Sequence, residues 1–309
     1  MAEAAFQTNP IYLSELLKDC QRGKIQLPDF QRSWVWDEDR IKSLIASVSR
    51  AFPVGALMSL KTGGPVNFKP RPVEGAPESA KQAAPESLLL DGQQRMTSLF
   101  QVTLRGKVVE TVTPKRKKVK RWFYIDMRKA LDATVDREEA IIGVPEDRIE
   151  RKDFGRSNVL DLSTPEKEFA ELMFPVARVF DWDDWQDGYQ EYWSGEDDKE
   201  TLRLFRTFRH EVLKNFTHYQ VPVIALGSST SKEAVCVVFE KVNTGGKPLD
   251  AFELVTAMYA ASGHELRKDW YGGDGVKGRQ QRLADTFRPA DSEAGILSGV
   301  GNTDFLQAV

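Results

Sequence analysis

Cysteine and histidine are scarce: the 309-residue chain holds two of the first and three of the second. Cys20 and Cys236 cannot build a disulfide scaffold, and alone they cannot complete a tetrahedral zinc site. Cys236 lies in the apolar run Val235-Cys-Val-Val-Phe239, where a buried, inert thiol is expected. His210, His218 and His264 fall in no metal-ligand spacing. No apolar run reaches roughly 18 residues, so no transmembrane helix is expected. The opening Met1-Ala-Glu-Ala-Ala-Phe6 lacks the basic start and apolar core of a secretory signal. Together these absences point to the cytoplasm. A large excess of one charge is also missing. The net charge is −3, which excludes a uniformly basic nucleic-acid binder.

What is present is a globular composition, 41% hydrophobic and 29% charged, in a length that suits one large domain or two ordinary ones. The charge is unevenly spread. Lys115, Arg116, Lys117, Lys118, Lys120 and Arg121 form a dense cationic cluster, whereas residues 181–200 are strongly acidic. A basic patch on an acidic protein can contact the phosphate backbone of DNA. It can equally be a solvated hairpin tip.

Periodicity gives a coarse map. Residues 11–20 have helical spacing with Gly23 as a stop, and residues 24–27 read as a short strand. Residues 29–36 combine aromatic and polar side chains, unlike an ordinary loop. Residues 37–51 form an amphipathic helix, with Asp37 as its cap and Ile41, Leu44, Ile45 and Val48 as its apolar stripe. A strand over 55–60 leads to residues 61–87, rich in Gly, Pro, Ala and charge, which read as a long exposed loop or an insertion, expected to be mobile. Residues 108–127 suggest two strands flanking the basic tip. Residues 128–218 read as mostly helical. There Trp182, Trp185, Tyr189, Tyr192 and Trp193 suit a core better than a stacking platform. A strand over 219–226 follows, then an ambiguous stretch to 242, a loop over 243–250, and a helix over 251–261 capped by Asp250. The division expected is 1–127, 128–218, 219–261 and a polar tail or the start of a truncated domain over 262–309.

The most informative stretch is Leu88-Leu-Leu-Asp-Gly-Gln-Gln-Arg-Met-Thr-Ser-Leu-Phe100. A short apolar strand ends in an Asp91-Gly92 turn, and a helix follows with Met96, Leu99 and Phe100 as its stripe. Backbone N–H groups at a helix start favour anions, and Gly lets a ligand approach closely. Arg95 can fork onto phosphate, and Asp91 can hold a metal or orient a water. The plainer reading is a turn with a buried, hydrogen-bonded polar cluster.

Three segments stand in order: Gln31-Arg32 with Trp34 and Trp36; Asp91-Gly-Gln-Gln-Arg95; and Phe239-Glu-Lys-Val-Asn-Thr-Gly-Gly246. They resemble the N-terminal domain family of GmrSD-type modification-dependent restriction systems, whose hallmark is DGQQR, over about residues 25–260. That resemblance implies an α/β fold with a ParB/sulfiredoxin-like core and a largely helical addition. It implies nucleotide binding and NTP hydrolysis with Mg²⁺, coupled to attack on foreign DNA by a nuclease domain or partner. The nucleotide site then falls on Asp91, Gly92, Gln93, Gln94 and Arg95, with Gln31 and Arg32 facing the same cleft and Asp91 toward the metal. Asn243 and the Gly245-Gly246 backbone would close the pocket, with Lys247 as a further charge. Gly245-Gly-Lys247 is not a Walker A motif, because the upstream glycine and the following Ser/Thr are missing. Family members often carry a His-Asn-His nuclease domain; the three histidines here build none, so this chain is expected to be the nucleotide-handling part. Restriction subunits commonly assemble, so a homo-oligomer is expected among its partners. The alternative is a non-catalytic DNA-sensing module in which Arg32 and Arg95 grip phosphate or a modified backbone. Each role also has a structural counterpart. Arg32 can pair with Asp29 or Asp37, Asp91 can cap a turn, Asn243 can satisfy loop backbone, and Gln93 and Gln94 can be helix-start filler.

Overall fold

The structure is a computed structural model. It describes residues 6–31, 33–152, 157–195, 198–231, 234–235, 238, 255–256, 266–273, 275–286 and 299–301. Arg32, Cys236, Asn243, Gly245, Gly246, Lys247 and most of the helix expected over 251–261 lie outside the described residues.

The chain begins with strand β1 (Phe6–Tyr12), helix α1 (Leu13–Arg22) and β2 (Ile25–Pro28). Helix α2 (Glu38–Ser49), β3 (Leu57–Lys61), the short β4 (Pro70–Arg71) and the one-turn α3 (Ser79–Gln82) precede β5 (Ser87–Asp91) and α4 (Gln93–Thr103). A hairpin of β6 (Val109–Val112) and β7 (Lys118–Asp126) leads to α5 (Met127–Leu131). Next come β8 (Ile141–Val144), β9 (Ile149–Lys152), β10 (Ser157–Asp161), α6 (Pro165–Ala170) and β11 (Met173–Pro175). Helices α7 (Asp183–Tyr192) and α8 (Lys199–Phe208) follow, the latter running through a π turn into α9 (Lys214–His218). Strand β12 (Gln220–Leu226) then returns to the first sheet. Farther on lie α10 (Leu266–Tyr271), the small hairpin β13 (Gly272–Gly273) and β14 (Val276–Lys277), and α11 (Arg279–Thr286).

The main sheet has the order β1-β12-β3-β5-β2-β4. Its pairs β12–β3 and β5–β2 are parallel; β1–β12, β3–β5 and β2–β4 are antiparallel. Central strands covered on both faces read as continuous apolar runs, and β5 shows why. Leu88 and Leu90 enter a cluster with Met58, Leu60 and Phe68, whereas Leu89 points the other way, into a larger core. The second sheet is built on β7, which pairs β6 near its start and β8 and β11 near its end. Both sheets share the larger core, which gathers Leu17 from α1, Ile45 from α2, Leu99 from α4, Ile125 from β7, Phe208 from α8 and Val223 from β12. The mixture of helices and sheets is the α/β class expected.

Several local expectations hold. Asp37 accepts from the Arg40 N–H at 2.9 Å, and Ile41, Leu44, Ile45 and Val48 are buried. Trp185 and Tyr189 are core residues, packed against Phe169 and Phe205. One expectation is corrected and one is added to. Residues 61–87 are not exposed throughout: β4 pairs with β2, and Val66, Phe68, Val73 and Ala80 are buried. These apolar residues are spaced singly, so no periodicity announces them. Residues 128–218 carry more helix than strand, as expected, and also hold the strands β8 to β11. Each is at most five residues long, too short for alternation to stand out. The first helix also starts two residues later than its spacing suggested, because Ile11 and Tyr12 complete the ladder with β12.

Candidate functional site

The β5–α4 junction has the strand–glycine–helix form the sequence suggested. Gly92 is the N-cap residue of α4, with φ of 91°. A Cβ there would stand 2.2 Å from Leu57 Cδ2, so side chains are excluded both by the left-handed backbone and by the neighbouring strand. The Met96 N–H returns to the Gly92 carbonyl at 3.0 Å and closes the first turn. The N–H groups of the residues before it have no partner within the helix, as at any helix start.

Arg95 looks inward. Its Nη2 donates to the Ala56 carbonyl at 2.9 Å and to Asp91 Oδ2 at 3.1 Å, while Nη1 donates to the Val54 carbonyl. Gly55 lies between those two carbonyls, and a Cβ on it would meet Nη1 at 2.5 Å. Both forks of the guanidinium are therefore engaged with the connection between α2 and β3. The bidentate phosphate grip expected of Arg95 is not available in this arrangement; what the side chain does is fasten Asp91 and residues 54–56 together. Tyr219, just before β12, holds the same connection from the other side. Its hydroxyl donates to the Phe52 carbonyl and accepts from the Val54 N–H at 3.1 Å. Burial raises the Tyr219 pKa above the usual phenol value, partly offset by the Val54 bond and the nearby Arg95. Sequence reasoning did not single out Tyr219, and a lone tyrosine before a strand carries no signal that could have.

Gln31 and Gln94 turn the junction into a wider polar frame. Gln31, 7% exposed, donates its Nε2 to the carbonyls of Leu89 and Leu90 at 2.9 and 2.8 Å, next to Asp91. Its Oε1 is buried and has no hydrogen-bond partner. The side chain of Gln94 accepts from the Val35 N–H at 3.0 Å and donates to the Ser33 carbonyl at 3.3 Å. Gln93 is buried. Two residues from the 61–87 segment buttress this frame. Arg71 Nη2 donates to the Gln31 carbonyl at 3.0 Å, and Glu74 accepts from Arg71 and from the Trp34 N–H. Glu74 Oε2 is a second buried acceptor without a partner. Buried polar atoms are nearly always satisfied, so two orphan acceptors in one region mark it as unusual. Trp34 packs against the core, with its Nε1 bonded to Ser98 Oγ at 2.9 Å.

The structure thus brings Gln31, Asp91, Gly92, Gln94 and Arg95 to one place. The cationic cluster lies elsewhere, on the β6–β7 hairpin, and it divides. Arg121 Nε pairs with the mostly buried Glu38 at 3.0 Å, and Glu38 also holds Lys42. Arg121 is thereby tied into the fold, where it joins β7 to α2. Lys120 pairs with the exposed Glu146 at 2.9 Å, a bond that water can replace. Lys115, Arg116, Lys117 and Lys118 are exposed, and among the described residues none of them carries an ion pair. No group of three or more His, Cys, Asp or Glu side chains able to hold a metal occurs among the described residues, and no helix among them is long and apolar enough to cross a membrane.

Fold and junction together define an α/β protein whose polar frame surrounds an Asp-Gly-Gln-Gln-Arg turn. The family model for the GmrSD restriction endonuclease N-terminal domain matches residues 13–260, and the chain belongs to that family. It is thus a restriction-associated protein. The chain is also similar to an uncharacterized protein of Methanocaldococcus jannaschii, 28% identical over 267 residues. That match covers 84% of this chain and 43% of the relative, so the chain spans less than half the length of that protein.

Proposed function

We propose that this chain is the nucleotide-binding and NTP-hydrolysing module of a DNA-directed restriction protein, with the β5–α4 junction as its site. The observation that carries the reading is Gln31: a side-chain oxygen buried without a partner, on an amide whose nitrogen bonds the Leu90 carbonyl next to Asp91. A ligand that donates a hydrogen bond to Gln31 and places phosphate at the α4 N–H groups would satisfy both. Asp91 Oδ2 is engaged by Arg95, and no bond to Oδ1 occurs among the described residues. One carboxylate does not make a protein-only metal site, but it suits Mg²⁺ arriving with nucleotide phosphates, which needs only one or two. In this reading Arg95 is a positioning residue. It fixes the Asp91 carboxylate and the 54–56 backbone rather than touching phosphate. Coupling to a nuclease domain or subunit belongs to the same proposal.

The test is phosphate release by the purified chain with each of the four NTPs and Mg²⁺, beside Asp91→Asn. Asparagine keeps an acceptor for Arg95, so the fold survives, but it removes the charge. Turnover in the wild type that falls at least tenfold in the variant supports the site. Equal turnover in both moves the chemistry away from Asp91. The second reading, a non-catalytic DNA-sensing module, is favoured by the four unpaired cations of the hairpin. Nucleotide-independent DNA binding without turnover would establish it in place of the first.

A further inference from the structure

We propose that the groove between the Trp34–Trp36 segment and the β6–β7 hairpin binds a single strand of DNA, with bases against the tryptophans and phosphates on the hairpin tip. The inference rests on the chain being a DNA-directed module, but not on nucleotide hydrolysis.

Two segments distant in sequence meet here. Thr111 Oγ1 donates to the Trp36 carbonyl at 2.7 Å, and Asp37 bridges Val112 in parallel register. The tryptophan segment is therefore laid along β6, leaving a cleft of about 460 Å³ lined by Trp34, Val35, Trp36, Glu110, Lys118 and Lys120, among others. Both indoles are half-buried, and Val35 is exposed. The bond from Trp34 to Ser98 fixes that ring, so little rotamer entropy remains to be lost on binding.

The hairpin tip is equally fixed. Thr113 N–H donates to the Lys117 carbonyl at 2.8 Å, Arg116 N–H donates to the Thr113 carbonyl at 2.7 Å, and Lys117 N–H donates to Thr113 Oγ1 at 3.2 Å. This closed turn displays the unpaired Lys115, Arg116, Lys117 and Lys118 beside the groove. Cations that track a backbone, next to aromatic faces that accept any base, are how single strands are held without sequence readout. A duplex keeps its bases stacked and offers the cations phosphate alone. Gln94 then gives the groove a route to the Asp91–Arg95 turn, because it grips the backbone of Ser33 and Val35. A strand seated on Trp36 bears on the first turn of α4 through that amide.

The experiment is fluorescence anisotropy, without nucleotide, of a labelled oligothymidine of about 15 nucleotides, close to a common single-strand site size. A blunt duplex of equal length is compared over a range of salt. The variants are Lys115→Glu/Lys117→Glu/Lys118→Glu, all at exposed positions, and the conservative Trp36→Phe. The wild type is expected to prefer the single strand and to lose affinity as salt rises. The triple variant is expected to bind at least tenfold more weakly. Its salt slope should be flatter by about 2, since each phosphate that a lysine no longer neutralises removes roughly 0.7. The bound strand should quench tryptophan emission, less so in Trp36→Phe, which retains most of the affinity. Three results would overturn the proposal: wild-type affinity and slope in the triple variant with unchanged circular dichroism, duplex binding as tight as single-strand binding, or no binding by the wild type. Because no nucleotide is present, each of these leaves the phosphate-release test standing, and failure of that test leaves this one readable.

Discussion

Glu168 is a carboxylate placed where water is excluded. It is 3% exposed; Tyr124 OH donates to Oε1 at 2.8 Å, Trp185 Nε1 donates to Oε2 at 3.0 Å, and Arg148 approaches at 3.4 Å. Burial raises its pKa above the usual 4.5, and the bonds from Trp185 and Tyr124 and the charge of Arg148 offset only part of that. The folded state then binds the proton more tightly than the unfolded state. The stability this group contributes is fully present below about 4.5 and is lost as pH rises through the folded-state pKa. Glu168→Gln removes that dependence, and its amide turns a donor toward one of the two donors, at a cost of about 1–3 kcal/mol. Urea denaturation of both proteins from pH 4 upward is expected to show the wild-type advantage shrinking as pH rises. An advantage that grows with pH would mean that the paired, charged form is the favoured one.

Arg95 and Tyr219 act on an element rather than on a single partner. The connection between α2 and β3 runs past Asp91, and it has no ladder partner of its own. Its carbonyls at Phe52, Val54 and Ala56 are held by a hydroxyl and a guanidinium from two other elements. Lysine at position 95 would carry the charge but not the planar fork, and could not span both carbonyls and Asp91. Arg95→Lys is therefore expected to lower stability by about 1–3 kcal/mol and to speed hydrogen exchange across residues 52–56, leaving the amides of β5 protected. Unchanged exchange across 52–56 would show that Tyr219 suffices. Any fall in NTP turnover in an Arg95 variant would mix this loosening with an effect on Asp91, so Asp91→Asn is the sharper probe of the site.

At the scale of the molecule, one core joins what the sequence would divide. Leu13 and Leu17 of α1, Phe123 and Ile125 of β7, and Phe205 and Phe208 of α8 belong to the same cluster of buried side chains. Segments that bury a common surface expose it together. Urea unfolding followed by far-ultraviolet circular dichroism and by tryptophan fluorescence is expected to give coincident midpoints, because Trp34 and Trp185, distant in sequence, both pack in that core. Separate midpoints would show that the 128–218 region unfolds as a unit of its own.

Local chemistry was legible wherever it is short-range. The Asp37 cap and its amphipathic helix, the strand–glycine–helix turn at Asp91-Gly92, and the hairpin around the basic tip all follow from spacing within a few residues, and the structure has each of them. Three short segments in order, the Asp-Gly-Gln-Gln-Arg string among them, suggested the family that the match over residues 13–260 shows. Partners distant in the chain were not legible. That Arg95 turns to Val54 and Ala56, that Arg121 is spent on Glu38, that residues 61–87 shelter Phe68 and Val73, and that Trp36 lies against β6 depend on pairings across dozens of residues. A side chain's donors are the same in any sequence context. Which acceptor they meet is decided when strands from remote segments pair and exclude water, and that closure exists only in three dimensions.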